Sequence, residues 1–195
     1  MITKRLILAS TSPRRAYLLK QLRLTFDIAP SGIDERVENT ETPSQHVRRL
    51  SFQKASDVAK NIPDGIIIGA DTVVVLEGRI LGKPQTPDDA LEMLRNLSGK
   101  THEVFTGFTL FDKPSNKSVT EHERTIVKFR TLSDAEIREY VASGAPMDKA
   151  GAYGIQDDMG AIFVERIDGC FYTVVGFPLT KFYLSYQQFL KTLEE

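Results

Sequence analysis

A short apolar run, Leu6-Ile7-Leu8-Ala9, leads straight into Ser10-Thr11-Ser12-Pro13-Arg14-Arg15. This order predicts a strand, a hydroxyl-rich turn, and a helix with Ser12 as N-cap and Pro13 at its first position. The free N–H groups at a helix start favour an anion, and cations normally stand at the other end, where the dipole suits them. Arg14 and Arg15 therefore occupy the unfavourable end of the helix, a loss that a phosphate bridging them would offset. The first 26 residues carry Lys4, Arg5, Arg14, Arg15, Lys20 and Arg23 and no Asp or Glu. A solvated helix start with incidental charges is the alternative.

Asp71 is the sharpest single residue, set between Ile66-Ile67-Ile68-Gly69-Ala70 and Thr72-Val73-Val74-Val75. A carboxylate between apolar runs must be paired, metal-bound or at the exposed end of a strand. An Asx turn at a strand break is the other reading. Lys54 follows a capping box, Thr42-Pro43-Ser44-Gln45, on a helix whose Val47, Leu50 and Val58 make one stripe. At roughly 100° per residue Lys54 falls inside that stripe, so it either snorkels out or meets a buried phosphate or carboxylate.

Lys83-Pro84 stands between a short hairpin and a helix start, where proline either aims the lysine into a cleft or shapes an ordinary surface loop. Asp34-Glu35, in a polar loop, is either a metal-ligand pair or solvated charge. Asp148-Lys149-Ala150-Gly151-Ala152-Tyr153-Gly154-Ile155-Gln156 sets small residues around an aromatic ring, which lets backbone approach a ligand, and the Gln156 amide can read a base edge. A flexible loop is the plain alternative. No Ser–His or Cys–His triad is legible.

The elements that must position these residues follow from periodicity. Strands are expected at Leu6–Ala9, Phe26–Ile28, Ile66–Ile68, Val73–Leu76 and Ile80–Leu81, with a meander from His102 to Phe129. A last hairpin is expected from Ala161–Ile167 and Cys170–Val175 across Asp168-Gly169. Helices are expected to open at Pro13, Pro43, Pro87, Ser133 and Pro178, the last with Leu179, Phe182, Tyr183, Tyr186, Phe189 and Leu190 inward. Ser31–Glu41 reads as a polar loop. Hairpins interrupt a strict βαβ order, so the expected fold is mixed α/β and not a doubly wound parallel sheet.

The 195 residues suffice for one domain, or two small lobes sharing a core. A net charge of −1 argues against broad nucleic-acid binding. No apolar run approaches the ~20 residues of a membrane span, and Leu6–Ala9 is shorter than the roughly 7–15 residues of a signal-peptide core. The single cysteine, Cys170, excludes an internal disulfide and fits a reducing cytoplasm. With His46, His102 and His122 scattered, no zinc site is readable, and a metal would have to use oxygen ligands.

Taken in chain order, Ala9-Ser10-Thr11-Ser12-Pro13-Arg14-Arg15, Lys54-Ala55, Gly69-Ala70-Asp71-Thr72-Val73-Val74, Gly82-Lys83-Pro84, Leu97-Ser98-Gly99, Thr106-Gly107, Phe129-Arg130, Asp148 to Gln156 and Val175-Gly176-Phe177-Pro178-Leu179 resemble the Maf family of nucleoside triphosphate pyrophosphatases. The Ala-Tyr-Gly-Ile-Gln form is similar to its dTTP/UTP branch. Two departures stand out: Asp157-Asp158 where many members have Gly after the Gln, and Phe177 where Leu is usual, a change expected to be structural.

The resemblance implies a single Maf-like domain over residues 1–195, a Maf/Ham1-like mixed sheet with flanking helices in an elongated, two-lobed shape with a central cleft. It implies hydrolysis of dTTP and UTP, with modified pyrimidine nucleotides as further candidates, to the monophosphate and pyrophosphate. It implies a divalent metal, Mg²⁺ or Mn²⁺, a cytoplasmic location and a homodimer. Asp71 becomes the general base and, with Glu35, a metal ligand. Ser10, Arg15, Lys54 and Lys83 become triphosphate contacts, and Arg14, Thr72 and Gln156 become residues tied to substrate choice. A nucleotide-binding regulator of cell division or septum formation is the alternative function. It would need the phosphate clamp but not Asp71.

Overall fold

A parallel core of short strands begins the chain in the computed structural model, which describes residues 4–36, 38, 41–156 and 158–194. Strand β1 (Leu6–Leu8) lies between β2 (Asp27–Ile28) and β3 (Gly65–Leu76), parallel to both, with Leu6, Ile7 and Leu8 opposite Ile66, Ile67 and Ile68. Both faces of β1 and of this part of β3 are buried, as unbroken Ile/Leu runs require. Helix α1 (Pro13–Gln21) follows β1, with Ser12 accepting from the Arg15 N–H and Pro13 at the helix start. Helix α2 (Pro43–Ala59) opens on the complete Thr42/Gln45 capping box.

The rest of the order is β4 (Arg79–Leu81), α3 (Pro87–Leu97), β5 (Thr101–Lys113), β6 (Ser118–Phe129), α4 (Asp134–Ala142), two single 3₁₀ turns (Ala145–Asp148 and Ala150–Ala152), α5 (Asp158–Ala161), β7 (Val164–Asp168), α6 (Phe171–Val175) and α7 (Leu179–Glu194). Among the described residues seven strands pair in the order β2-β1-β3-β5-β6-β7, with β4 on β3. The β3–β4 and β6–β7 pairs are antiparallel, so the sheet is mixed as expected.

The chain divides into two compact units. The first holds Met1–Asp71, Thr106–Glu123 and Gly176–Glu195; the second holds Thr72–Phe105 and Arg124–Val175. In the first unit α2 lies flush on the sheet. A Cβ on Gly69 of β3 would fall 2.0 Å from the Ser51 carbonyl oxygen, and one on Gly107 of β5 would fall 2.4 Å from that of Val47. Only the missing side chains allow the helix backbone this close. Ser51 Oγ also meets Thr109 Oγ1 at 3.0 Å under the helix. Ala55, Val58 and Ala59 pack on Ile7, Ala9 and Ile67. On α7, Phe182 and Tyr186 stack, and the fully buried Phe177 packs on Phe108 and Phe182, a structural role for that residue.

In the second unit β3 turns into β4 across Glu77 and Gly78, both at positive φ (51° and 77°). Its core gathers Val74, Leu94, Leu97, Val104, Val127, Phe129, Tyr140, Tyr153 and Phe163. His102 is enclosed there, edge-on to Phe129 and Tyr153, with Nε2 2.8 Å from the Tyr153 hydroxyl. Burial holds the imidazole down at about 4, against an ordinary value of 6.5. The unfolded chain takes this proton near the ordinary value and the folded protein resists it. The resulting stability is therefore complete above pH 6.5 and is lost as pH falls toward about 4. That window corresponds to roughly 3 kcal/mol. His102→Gln, which keeps a partner for the Tyr153 hydroxyl, is expected to flatten the stability profile across this window; urea unfolding on both sides of it is the measurement.

Three expectations change. The runs Ile66–Ile68 and Val73–Leu76 are one continuous strand, so Asp71 lies within β3 and not at a break; the small residues before it are where α2 docks. The last hairpin is absent. β7 pairs with β6, Gly169 at φ +127° turns the chain, and α6 replaces the second strand. Thr125 Oγ1 both donates to the Cys170 carbonyl and accepts from its N–H, and the same carbonyl accepts the Thr173 N–H, which starts a helical turn. The β-branched Thr173-Val174-Val175 has the composition of a strand, but tertiary anchoring prevails. Tyr183 is exposed, one helical step off the Leu179, Phe182, Tyr186 and Phe189 stripe. Within the Ser31–Glu41 loop, Val37, Asn39 and Thr40 lie outside the described residues, as do Asp157 and the side chain of Asp158.

Candidate active site

Docking of α2 on Gly69 fixes the chemistry of the first unit. With Ser51 and Ala55 against Gly69, the helix delivers Lys54 to the face of β3 that carries Asp71. Lys54 is 5% exposed, and its Nζ lies 2.7 Å from Asp71 Oδ1 and 2.8 Å from Glu35 Oε1. The inward lysine thus meets buried charge and does not snorkel. Of its two carboxylates, Asp71 is buried and the Glu35 side chain is 46% exposed.

The β1–α1 turn supplies the next group. Ser12 N–H donates to Ser10 Oγ, and Arg15 Nη1 donates to the same oxygen at 3.2 Å. Arg15 Nε donates to the Gly176 carbonyl at 3.1 Å, which fixes the guanidinium plane. Arg15 is held below its usual range, chiefly by burial; the charges of Asp71 and Glu35 oppose that fall, and Arg14 adds to it. Ser10, Arg14, Arg15, Glu35, Lys54 and Asp71 therefore form one electrostatic neighbourhood of three cations and two carboxylates.

Sequence reasoning missed a further part. His46 on α2 is 2% exposed, with Nδ1 3.2 Å from Glu41 Oε2 and Nε2 3.9 Å from Asp71 Oδ2. Arg49 grips Glu41 with two N–H groups, Nε to Oε1 and Nη2 to Oε2 at 2.8 Å. The Arg49 hydrogen bonds, helped by His46, hold the Glu41 carboxyl down at about 2 against the opposing effect of burial. The Thr42 cap did fix the phase of α2, and counting from it puts His46 eight residues before Lys54, at the flank of the apolar stripe. Periodicity alone does not tell a flanking histidine from a solvated one.

In the second unit Thr72 follows Asp71 along β3, its side chain on the opposite face, and is half-buried. Lys83 is exposed in the loop after β4. The neighbouring Gly82 carbonyl accepts the Gly151 N–H at 3.0 Å, so this loop is tied to the segment ending in Gln156. Gly151 sits at φ +67°, and a Cβ there would come within 2.9 Å of the Val74 side chain. Tyr153 is anchored by His102, Tyr140 Oη accepts the Gly154 N–H at 3.2 Å, Ile155 is buried, and Gln156 is exposed. The segment is held at three points just before its amide-bearing residue.

The carboxylates fit a hard cation. Asp71 Oδ2 is buried and accepts no hydrogen bond from the described residues. Glu35, with a partly exposed side chain, reaches the same Lys54 ammonium. Among the described residues no group of three or more His, Cys, Asp and Glu could hold a metal by itself. An ion held by Asp71 and Glu35 would complete its shell with phosphate oxygens and water, a mode typical of Mg²⁺. No helix of the described residues is long and apolar enough to cross a membrane.

The mixed sheet and its buried Lys–Asp pair, within electrostatic reach of an arginine-bearing helix start, define an α/β protein. The chain belongs to the Maf family: the family model described as Maf-like protein matches residues 5–189. A relative from Syntrophus aciditrophicus (strain SB), named dTTP/UTP pyrophosphatase, is 48% identical over 181 residues, covering 93% of this chain and 88% of its own. One of the same name from Bacillus cereus (strain G9842) is 50% identical over 186 residues, covering 95% of this chain and 96% of its own. Among solved structures, the Staphylococcus aureus Ham1 protein aligns with a TM-score of 0.45 at 14% identity, over 65% of this chain and 72% of that one.

Proposed function

We propose that this protein hydrolyses dTTP and UTP between the α and β phosphates, giving the nucleoside monophosphate and pyrophosphate. The observation that carries the reading is Asp71, a buried carboxylate held by Lys54 beside the Ser10–Arg15 turn. The shared name of relatives near 50% identity supports the substrate choice. The family match over residues 5–189 supports one Maf-like domain spanning the chain. The same membership supports a cytoplasmic homodimer.

Arg14, Arg15, Lys54 and Lys83 match the charge of a triphosphate, and an arginine fork suits two phosphate oxygens at once. Asp71 orients a water and takes its proton as the oxygen attacks the α-phosphorus and pyrophosphate departs. Lys54, hydrogen-bonded to Asp71 Oδ1 at 2.7 Å, keeps the carboxylate aimed until then. Asp71 and Glu35 would hold a Mg²⁺ or Mn²⁺, which when bound would supply charge neutralisation on the phosphate oxygens. The test is to incubate purified protein with a panel of nucleoside triphosphates and either metal. Pyrophosphate with UMP or dTMP supports the reading; orthophosphate with a diphosphate overturns it.

Gln156 selects the base. Its amide offers an acceptor and two donors, suited to the N3–H and carbonyl edge that uracil and thymine share. A site that pairs with this edge leaves polar groups unpaired around a wrong base. Both UTP and dTTP are expected to be substrates, with CTP and the purine triphosphates poorer. Gln156→Leu is expected to lower activity on the two good substrates more than on the poor ones. Competition assays decide it, and an unchanged ranking of bases would transfer selection to Arg14 and Thr72.

A further inference from the structure

Glu41 is ionised, so it can only accept a hydrogen bond, and the proton on the 3.2 Å contact must belong to His46 Nδ1. The other nitrogen, Nε2, faces Asp71 Oδ2 across 3.9 Å. One shared water, with arms of roughly 2.8 Å meeting near a right angle, would span this gap. The other Asp71 oxygen is already fixed by Lys54 at 2.7 Å. Before an ion binds, Oδ2 has no hydrogen-bond partner among the described residues, so the carboxylate can pivot about that one bond.

We propose that His46 is a positioning residue for Asp71: backed by Glu41 and Arg49, it fixes the second carboxylate oxygen through a shared water and so sets the plane in which Asp71 meets the attacking water. This rests on the pyrophosphatase reading. The anchor is rigid because Arg49 also donates to Gln53 Oε1 at 3.1 Å and to the Arg36 carbonyl at 3.0 Å, which ties Glu41 to α2 and to the preceding loop. A role confined to the α2 network would need only the Nδ1 contact; a role toward Asp71 needs a polar group at the Nε2 position.

Two substitutions separate these roles. A glutamine amide reaches the place of Nε2, and an asparagine amide reaches only that of Nδ1. His46→Gln is expected to retain kcat within a few-fold, while His46→Asn lowers kcat by about tenfold or more with KM for UTP unchanged. The reverse ranking, equal activity in both, or equal losses that follow a drop in melting temperature would each overturn the proposal. Crystal structures of both variants supply a reading free of turnover. Asp71 is expected to keep its carboxylate plane in the Gln variant and to rotate or split in the Asn variant; an unmoved Asp71 in both overturns the proposal. Wild-type protein assayed alongside keeps the two ideas apart, since inactivity on every triphosphate rejects the pyrophosphatase reading while the crystal comparison still judges His46.

Discussion

Asp71→Asn is expected to lower turnover of UTP and dTTP by about 10²–10⁴-fold, the usual loss when a general base is removed, and by more if a metal ligand goes with it. The substitution preserves shape and leaves an acceptor 2.7 Å from Lys54, so the helix–strand contact survives. Lys54 also keeps its second partner, Glu35. Folding and nucleotide binding should therefore persist while chemistry stops. Steady-state kinetics beside calorimetric titration with UTP in the absence of turnover separates the two. Turnover within a few-fold of the unsubstituted protein would remove Asp71 from the reaction.

The parts of this site legible in the sequence are those that one element determines by itself. The Ser12-Pro13 helix start and the Thr42 capping box are local grammar, and both stand as expected. Helical phase alone marks Lys54 as inward. What phase could not supply was its partner, because that depends on how closely α2 approaches β3. The approach is encoded in Gly69, which reads as an interruption between two strand runs, and in Gly107; both are in fact the space the helix occupies. The same blindness explains the missed His46: its two contacts come from a loop residue and from a strand far along the chain. The vanished hairpin has a similar cause. Thr173-Val174-Val175 has strand composition, but the double hydrogen bond between Thr125 and Cys170 sets the direction in which the chain leaves β7.

Lys54→Met is expected to abolish most activity, by 10²-fold or more on the order of other lost catalytic partners, and also to destabilise the fold. The methionine itself fits, since the lysine stem already lies in the stripe with Val47, Leu50 and Val58. Were the ammonium merely reaching solvent, the exchange would be neutral or stabilising. It stands instead between two carboxylates, and its removal leaves Asp71 enclosed without its nearest positive charge. Breaking a fully buried pair from one side costs roughly 3–5 kcal/mol. Glu35 is half exposed and Arg15 lends its charge to the same neighbourhood, so about 2 kcal/mol is the better expectation here. Urea unfolding at neutral pH measures it. The decisive comparison is the double variant: in the Asp71→Asn background no buried anion remains to be stranded, so the stability loss from Lys54→Met should shrink by about 1 kcal/mol or more. Equal losses in the two backgrounds would mean that Lys54 stabilises the protein without acting through Asp71. A fully active Lys54→Met protein would dismiss it from the site.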